Sequence, residues 1–420
     1  MDKKISPSEK IRNGISDLLS NATHSDSSRG ILSRLARLSI GLVTQEALEA
    51  EQRDFIGVDR YDRAGDRRGY RSGYEPRRLK TAEGAVEVYV PQVRGADTPF
   101  RSALFQYLSR NSDALEHLAI EMYARGMSTR DIESTFTEDG RCLLTRSSVS
   151  DVTEALNEQR EAFQNRDLSD IPVLYLFLDA LYEPLRTHGI TREAILCAWA
   201  ITWDGRKVLL SMDFGGKESS EAWLEFVRDL ARRGLQTPLA ITTDGAPGLI
   251  SVVDQMWPKS LRLRCWVHKM RNCASKVPKT RWPSIKPLLQ AIRDAQDLET
   301  AQAAAGRFLE KHQAEFPSLC RCVREDLDAL LAVTQLPWRQ RRYVRSTNLI
   351  ERSFVEERRR TKTLPRFFTE KSCLKLVFAT LIRAAERWKA IPFTQTEFHQ
   401  LRELCQARGI LAPNNVYKAA

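Results

Sequence analysis

The sequence predicts an α/β core that is preceded, and then interrupted, by helical segments. Three observations carry this. Apolar runs at 173–179, 194–203 and 207–213 have the length and the aromatic and branched content of strands. Amphipathic helix and strand patterns then alternate through residue 268. From 269 to 345 the pattern is almost entirely helical, including Ala301-Gln302-Ala303-Ala304-Ala305.

The elements can be justified in chain order. Residues 1–50 form an N-terminal helical region, with Ile31, Leu32, Leu35, Leu38 and Leu42 at helical spacing. Its Ser-, Asn- and Asp-rich start predicts partial disorder. Residues 51–105 are a basic Gly/Tyr/Arg-rich segment with short strands, such as Val86-Glu87-Val88-Tyr89-Val90. Arginine alternates with tyrosine over Arg67–Tyr74, so Arg71 and Tyr74 are candidate DNA contacts. A salt-bridged surface hairpin explains the same composition equally well.

Residues 106–165 read as three helices. Gly126-Met127-Ser128 breaks the first, Ser128 or Thr129 caps the second, and a third opens near Ser147. This is the order of a helix-turn-helix DNA-binding domain, and it places Arg130 as a DNA contact. Residues 166–268 hold the first part of the core, with Asp204-Gly205 as a hairpin turn and strands at 238–243 and 261–267. Three neighbouring strands, a helix, a strand, a helix and a strand fit an RNase H-like catalytic core. Residues 269–345 are then an all-α insertion, and 346–420 complete the core with C-terminal helices.

Composition bounds the function. The 420 residues predict two to four domains; 42% are hydrophobic and 28% charged, as in ordinary globular proteins. No apolar run has the ~20 residues of a membrane span, and the N-terminus has no signal-peptide pattern. Eight scattered cysteines form no disulfide framework, which predicts a reducing, cytoplasmic setting. Net charge is +11, and the stretch Gln255–Arg293 alone holds ten Lys/Arg and no acid. A second basic run includes Arg352, Arg358, Arg359, Arg360 and Lys362. Clustered cations beside acids point to a polyanion, so Lys269 and Arg271 join these arginines as DNA-binding candidates.

Three acids are the candidate chemistry. Asp179 ends the run Val173–Leu178, Asp244 ends Leu239–Thr243, and Glu351 heads a basic helix. Two strand-end aspartates and a helical glutamate can converge on a pair of divalent metals, an arrangement suited to cutting and joining phosphodiesters. For any lone acid, a cap, turn or salt bridge is the commoner role. Cys265-x-x-His268 could hint at zinc, but Cys273 and the close pair Cys320 and Cys322 supply no convincing fourth ligand. His268, at the end of a strand, fits an active-site wall better. Trp282 and Trp338 are candidates for base stacking, against the ordinary role of core packing.

Segments 174–186, 241–249, 265–272 and 346–362 resemble the mutator-type transposase family of bacterial insertion sequences. Asp179, Tyr182 and Arg186 match its first motif, and Asp244, Gly245 and Gly248 its second. Cys265 and His268 match its Cys-x-x-His signature. Its third motif, Thr-x-Asn-x-Ile-Glu-Arg leading into an arginine run, is close to Ser346–Lys362, with Asn348, Ile350, Glu351 and Arg352 matching it. Phe354 departs from it, since a polar Asn is frequent there. The resemblance spans most of residues 50–390. It implies a DDE transposase with Asp179, Asp244 and Glu351 as catalytic and metal-binding residues. It also places Tyr182, Asn348, Cys265 and His268 on the active-site wall and makes Arg186 a DNA contact. The implied cofactor is Mg²⁺, with Mn²⁺ able to substitute and two ions per site. The implied partners are terminal inverted repeats and target DNA, bound by a homodimer or larger assembly in the nucleoid. The competing readings are an RNase H-like nuclease that cuts without joining and a transposase-derived DNA-binding regulator.

Overall fold

The computed structural model describes residues 5–21, 28–62, 67–108, 111–138, 141–185, 191–216, 219–361, 369–386 and 388–413. The candidates Arg186 and Lys362 lie outside them. The chain divides into two compact units, one of residues 1–123 and 127–154, the other of 124–126 and 155–420.

The first unit opens with α1 (Pro7–Ser20) and α2 (Ser28–Ile56). Part of the start expected to be disordered is therefore helical. Ser6 caps α1 by accepting from the Glu9 amide, Pro7 begins it, and the Ser8 hydroxyl donates to Glu49 of α2 at 2.7 Å. The strands expected to be short are instead the long antiparallel β1 (Tyr70–Thr81) and β2 (Gly84–Arg94). Val86, Val88 and Val90 alternate inward from β2 onto Leu48 of α2. Gln45 of α2 exchanges two hydrogen bonds with the Tyr89 backbone, closing that edge of the hairpin. Arg71 donates to the carbonyls of Val58 and Asp59, and Tyr74 is half-buried.

Next come α3 (Ala103–Tyr107), α4 (Asp113–Ala124) and α5 (Thr129–Thr135). A short hairpin, β3 (Thr137–Glu138) and β4 (Arg141–Cys142), separates α5 from α6 (Arg146–Asn165). Ser128 and Asp131 form a reciprocal capping box that starts α5. Leu115, Ala119, Ile132, Leu144 and Val149 form this region's core, and Arg130 is exposed on α5.

The second unit is built on β5 (Val173–Leu185), β6 (Thr191–Thr202), β7 (Lys207–Gly216), α7 (Ser220–Arg232), β8 (Ala240–Thr243), α8 (Pro247–Met256) and β9 (Leu261–Arg264). The sheet order is β7-β6-β5-β8-β9. The first three strands form an antiparallel meander, while β5, β8 and β9 run parallel. Leu176, Leu178, Leu196 and Leu210 pack on Trp223, Phe226 and Leu230 of α7 and Leu249 and Val253 of α8.

A helical run follows: α9 (Trp266–Ala274), α10 (Trp282–Arg293), α11 (Leu298–His312), α12 (Pro317–Glu325), α13 (Leu327–Leu331) and α14 (Trp338–Val344). It has its own core of Cys273, Ile285, Leu289, Phe308, Val323 and Leu330, with Trp282 packed against it. Trp282 is partly buried in that packing. The chain then returns to the sheet through α15 (Asn348–Thr361), α16 (Glu370–Glu386) and α17 (Gln395–Ala407). Helix α16 packs on β5 and β7.

Lys269 is not a surface cation. It is 3% exposed, and its Nζ lies 2.5 Å from Asp326, which also accepts from Arg264 Nε at 3.0 Å. One carboxylate thus balances two buried cations and joins β9 to the helical run. Replacing Asp326 with Ala leaves both uncompensated, and a loss of about 3–5 kcal/mol is expected. Urea denaturation measures it; a loss below about 1 kcal/mol contradicts this role.

Candidate active site

The parallel pairing of β5 and β8 runs from Tyr175↔Ala240 to Leu178↔Thr243. The next residue on each strand is an acid, so Asp179 and Asp244 sit side by side where the ladder stops. Only β8 ends there. β5 continues to Leu185, because its other edge stays paired with β6 through Asp179↔Cys197 and on to Leu185↔Thr191. Asp179 was expected at a strand end; it lies mid-strand and is held more rigidly than a terminal residue.

Gly245 lets the chain leave β8. Its φ is +89°, and a Cβ there would fall 2.2 Å from the Arg264 guanidinium on its way to Asp326. The Asp244 carboxylate accepts from the Ala246 amide at 3.0 Å, just ahead of Pro247 and α8. The Asp-Gly pair is thus a turn that aims a carboxylate and a close approach that makes room for a buried arginine.

The strand expected at 261–267 stops at Arg264. The Cys265 amide donates to the Thr243 carbonyl at 2.9 Å, but the Trp266 amide turns to the Arg345 carbonyl at 2.9 Å. From there the chain is helical, so His268 lies on α9 rather than at a strand end. Thr347 meets Cys265 twice, its amide 3.3 Å and its hydroxyl 3.5 Å from Sγ. The Glu351 amide donates to the Thr347 carbonyl at 2.9 Å. Cys265 therefore fixes the start of the helix that carries Glu351.

The Glu351 carboxylate lies 3.6 Å from His268 Nε2 and 3.3 Å from an Arg271 nitrogen. Burial, then Asp244 and more weakly Glu351, push Asp179 up to about 7. Cys265 beside it, followed by Asp179 and Asp244, raises His268 against the opposing effect of burial. Burial pushes the Cys265 thiol up, but contacts with His268 and Thr347 outweigh it and leave its pKa lowered. The three acids and His268 thus form one electrostatic cluster. Among the described residues, no group of three or more His, Cys, Asp or Glu side chains is poised to hold one ion. Glu351 is instead turned onto His268 and Arg271.

Other expected site residues lie elsewhere. Strand alternation puts Tyr182 on the opposite face from Asp179, where it is exposed. Asn348 is exposed and lines a neighbouring basic cavity. Arg352, Arg358 and Arg359 are exposed, while Arg359 and Arg360 pair with Glu356 at 2.6 and 2.8 Å. Trp338 is 56% exposed, with the Arg341 guanidinium 5.1 Å from its ring centre.

Helix α15 also buries a stripe of Ile350, Ser353, Phe354, Glu357 and Thr361. Phe354 is therefore a packing residue. In the sequence Glu357 is only one of the acids that closely follow Glu351, and nothing marks Glu183, which shares Asp179's face of β5. Burial, then the Glu183 carboxylate, push Glu357 from an ordinary 4.5 up to about 8. The folded state keeps a proton that the unfolded chain releases above pH 4.5. Its stabilisation is full below 4.5 and is lost as pH rises through about 8. Glu357→Gln should flatten the fall in melting temperature across that window. Parallel wild-type and variant profiles would show that Glu357 is not protonated.

Comparison with known proteins gives a consistent answer. The family model described as "Transposase, Mutator family" matches residues 16–391. The chain is 35% identical over 350 residues to the transposase for insertion sequence element ISRM5 of Rhizobium meliloti, covering 83% of this chain and 87% of that protein. It is 30% identical over 375 residues to the IS1081 transposase of Mycobacterium tuberculosis, covering 89% and 88%. It is 29% identical over 349 residues to the transposase for IS256 in transposon Tn4001 of Staphylococcus aureus, covering 82% and 89%. The chain belongs to the Mutator family of transposases.

Proposed function

We propose that this transposase cleaves a DNA strand at the ends of its element and joins the freed 3′-hydroxyl to target DNA, with Asp179, Asp244 and Glu351 as the catalytic acids. The observation that carries this is the adjacency of Asp179 and Asp244 at the end of the β5–β8 ladder, with Glu351 in their electrostatic range. The mixed sheet order and the strand–helix sequence support an RNase H-like core. In that reading α9 to α14 are an all-α insertion.

The donor set fits Mg²⁺, with Mn²⁺ as substitute, because crowded carboxylate oxygens are hard donors whose repulsion a divalent cation relieves. Zinc fits poorly, since the Cys265 thiol is engaged by Thr347. Asp179, Asp244 and Glu351 would hold two ions. When bound, such ions activate the attacking oxygen and stabilise the leaving one. The chain's own groups do the rest. Burial of Asp179 keeps water from dispersing its charge. His268 and Arg271 hold the Glu351 carboxylate until it is drawn toward the aspartates. Exposed Arg352 and Arg358, on the outer side of α15, grip the backbone of the same DNA.

Arg130, exposed on α5, supports end recognition by a helix-turn-helix in the first unit. DNA-end pairing calls for a homodimer or larger assembly, working in the cytoplasm on the nucleoid. Among the described residues no helix is long and apolar enough to cross a membrane.

The test supplies end-sequence DNA, target DNA and Mg²⁺ and resolves the products on a gel. Joined products are expected from the wild type. Asp179→Asn, Asp244→Asn and Glu351→Gln should each lower joining on the order of a thousandfold, the equivalent of several kcal/mol of charge stabilisation. Cleavage without joining would make the protein a nuclease. End binding with neither step would make it a regulator.

A further inference from the structure

A cavity of about 460 Å³ opens beside the start of α15, and among the described residues no carboxylate lines it. Lys207 from the start of β7, Arg342 from α14 and Arg352 from α15 converge on it, with Asn348, Tyr343 and Trp388 in its wall. Lys207 is more than a hundred residues from the two arginines, which come from consecutive helices. Lys207 donates to the Lys389 carbonyl at 3.0 Å, which fixes its ammonium group without neutralising it. Burial, and then the charge of Arg352, pull the Lys207 pKa down, so the fold holds two cations against their repulsion. Trp388 stacks on Trp199 with ring centres 4.8 Å apart, giving the cavity a firm aromatic side.

Arg342 also lines a second groove of about 600 Å³, together with Arg293, Arg339, Arg345 and Trp338. The one acid in that lining, Asp294, is taken up by Arg293 at 2.6 Å and Arg345 at 2.5 Å. The two cavities share Arg342 of α14. The first of them also holds Arg352, the residue after Glu351.

We propose that Lys207, Arg342 and Arg352 form a phosphate-binding pocket that takes a DNA backbone phosphodiester other than the scissile one. The pocket rests on the DNA-joining reading above and adds a substrate subsite to it. Guanidinium groups match phosphate oxygens in pairs, and a bound anion relieves the repulsion between Lys207 and Arg352. Its place one residue past Glu351 means that filling it would register the DNA strand against the three acids.

The experiment measures binding of the full-length protein to fluorescein-labelled terminal-repeat DNA by anisotropy, as duplex and as single strand, across a salt series. Each lost phosphate contact lowers the slope of log affinity against log salt by about 0.9 on duplex and about 0.7 on single strand. Lys207→Gln and Arg342→Gln should each lower the slope by up to that one-phosphate amount, the double variant by no more than about 0.9 on duplex, and Lys207→Arg should keep the wild-type slope. Loss confined to one probe tells whether the phosphate belongs to duplex or to a separated strand. Wild-type slopes for both Gln variants on both probes overturn the pocket, as does an equal loss in Lys207→Arg. Should Lys207→Gln not fold, Arg342→Gln, on an exposed position, decides by itself. A wild type that binds DNA but never joins ends refutes the joining reading instead, which the slopes do not measure.

Discussion

The structure depends on two carboxylates being held side by side against their own repulsion. Asp179 and Asp244 follow the last rung of one parallel ladder, and Asp179 is almost fully buried. Like charges in such a place are costly unless a cation or proton intervenes. The surrounding geometry makes the arrangement tolerable. β5 cannot bend away, because its antiparallel partner continues past Asp179. The turn after Asp244 cannot relax, because the Arg264 side chain lies against Gly245 and is tied to Asp326. The cost of holding these acids together is thus built into the fold, and burial and Asp244 raise the Asp179 pKa accordingly.

Helix α15 connects that cluster to the rest of the second unit. Its inner stripe packs against the sheet, and its outer side carries Glu351, Val355 and Arg358. Cys265 and Thr347 set its first turn, and Thr242 donates to the Val344 carbonyl at 2.7 Å just before it. The conserved-looking chemistry of Cys-x-x-His is therefore divided between two jobs. Cys265 positions a helix, and His268 faces the acids. Neither needs a zinc ion.

Charge shows how far a local pattern can mislead. The run Gln255–Arg293 is free of acids, but several of its cations find acids elsewhere. Arg264 and Lys269 meet Asp326, Arg262 meets Asp254, Arg281 meets Glu315, and Arg293 meets Asp294. The cavity free of acids lies instead between β7, α14 and α15, where Lys207 and Arg342 carry no motif that marks them.

What the sequence determined by itself was whatever neighbours along the chain can enforce. The apolar runs specified strands, Asp-Gly specified the hairpin turn at 204–205, and Ser128 or Thr129 specified a helix start. Glu351 stood out among nearby acids through its motif, and the helical spacing already placed Arg358 on its side. Tertiary structure decided the rest. Whether β5 stopped at Asp179 depended on β6, and that continuation turned Tyr182 to the opposite face. Whether Lys269 met DNA depended on Asp326, 57 residues away. Whether Glu357 was a surface acid depended on Glu183 across the packed helix. Burial and charge pairing act through space, and residues distant in the chain set them.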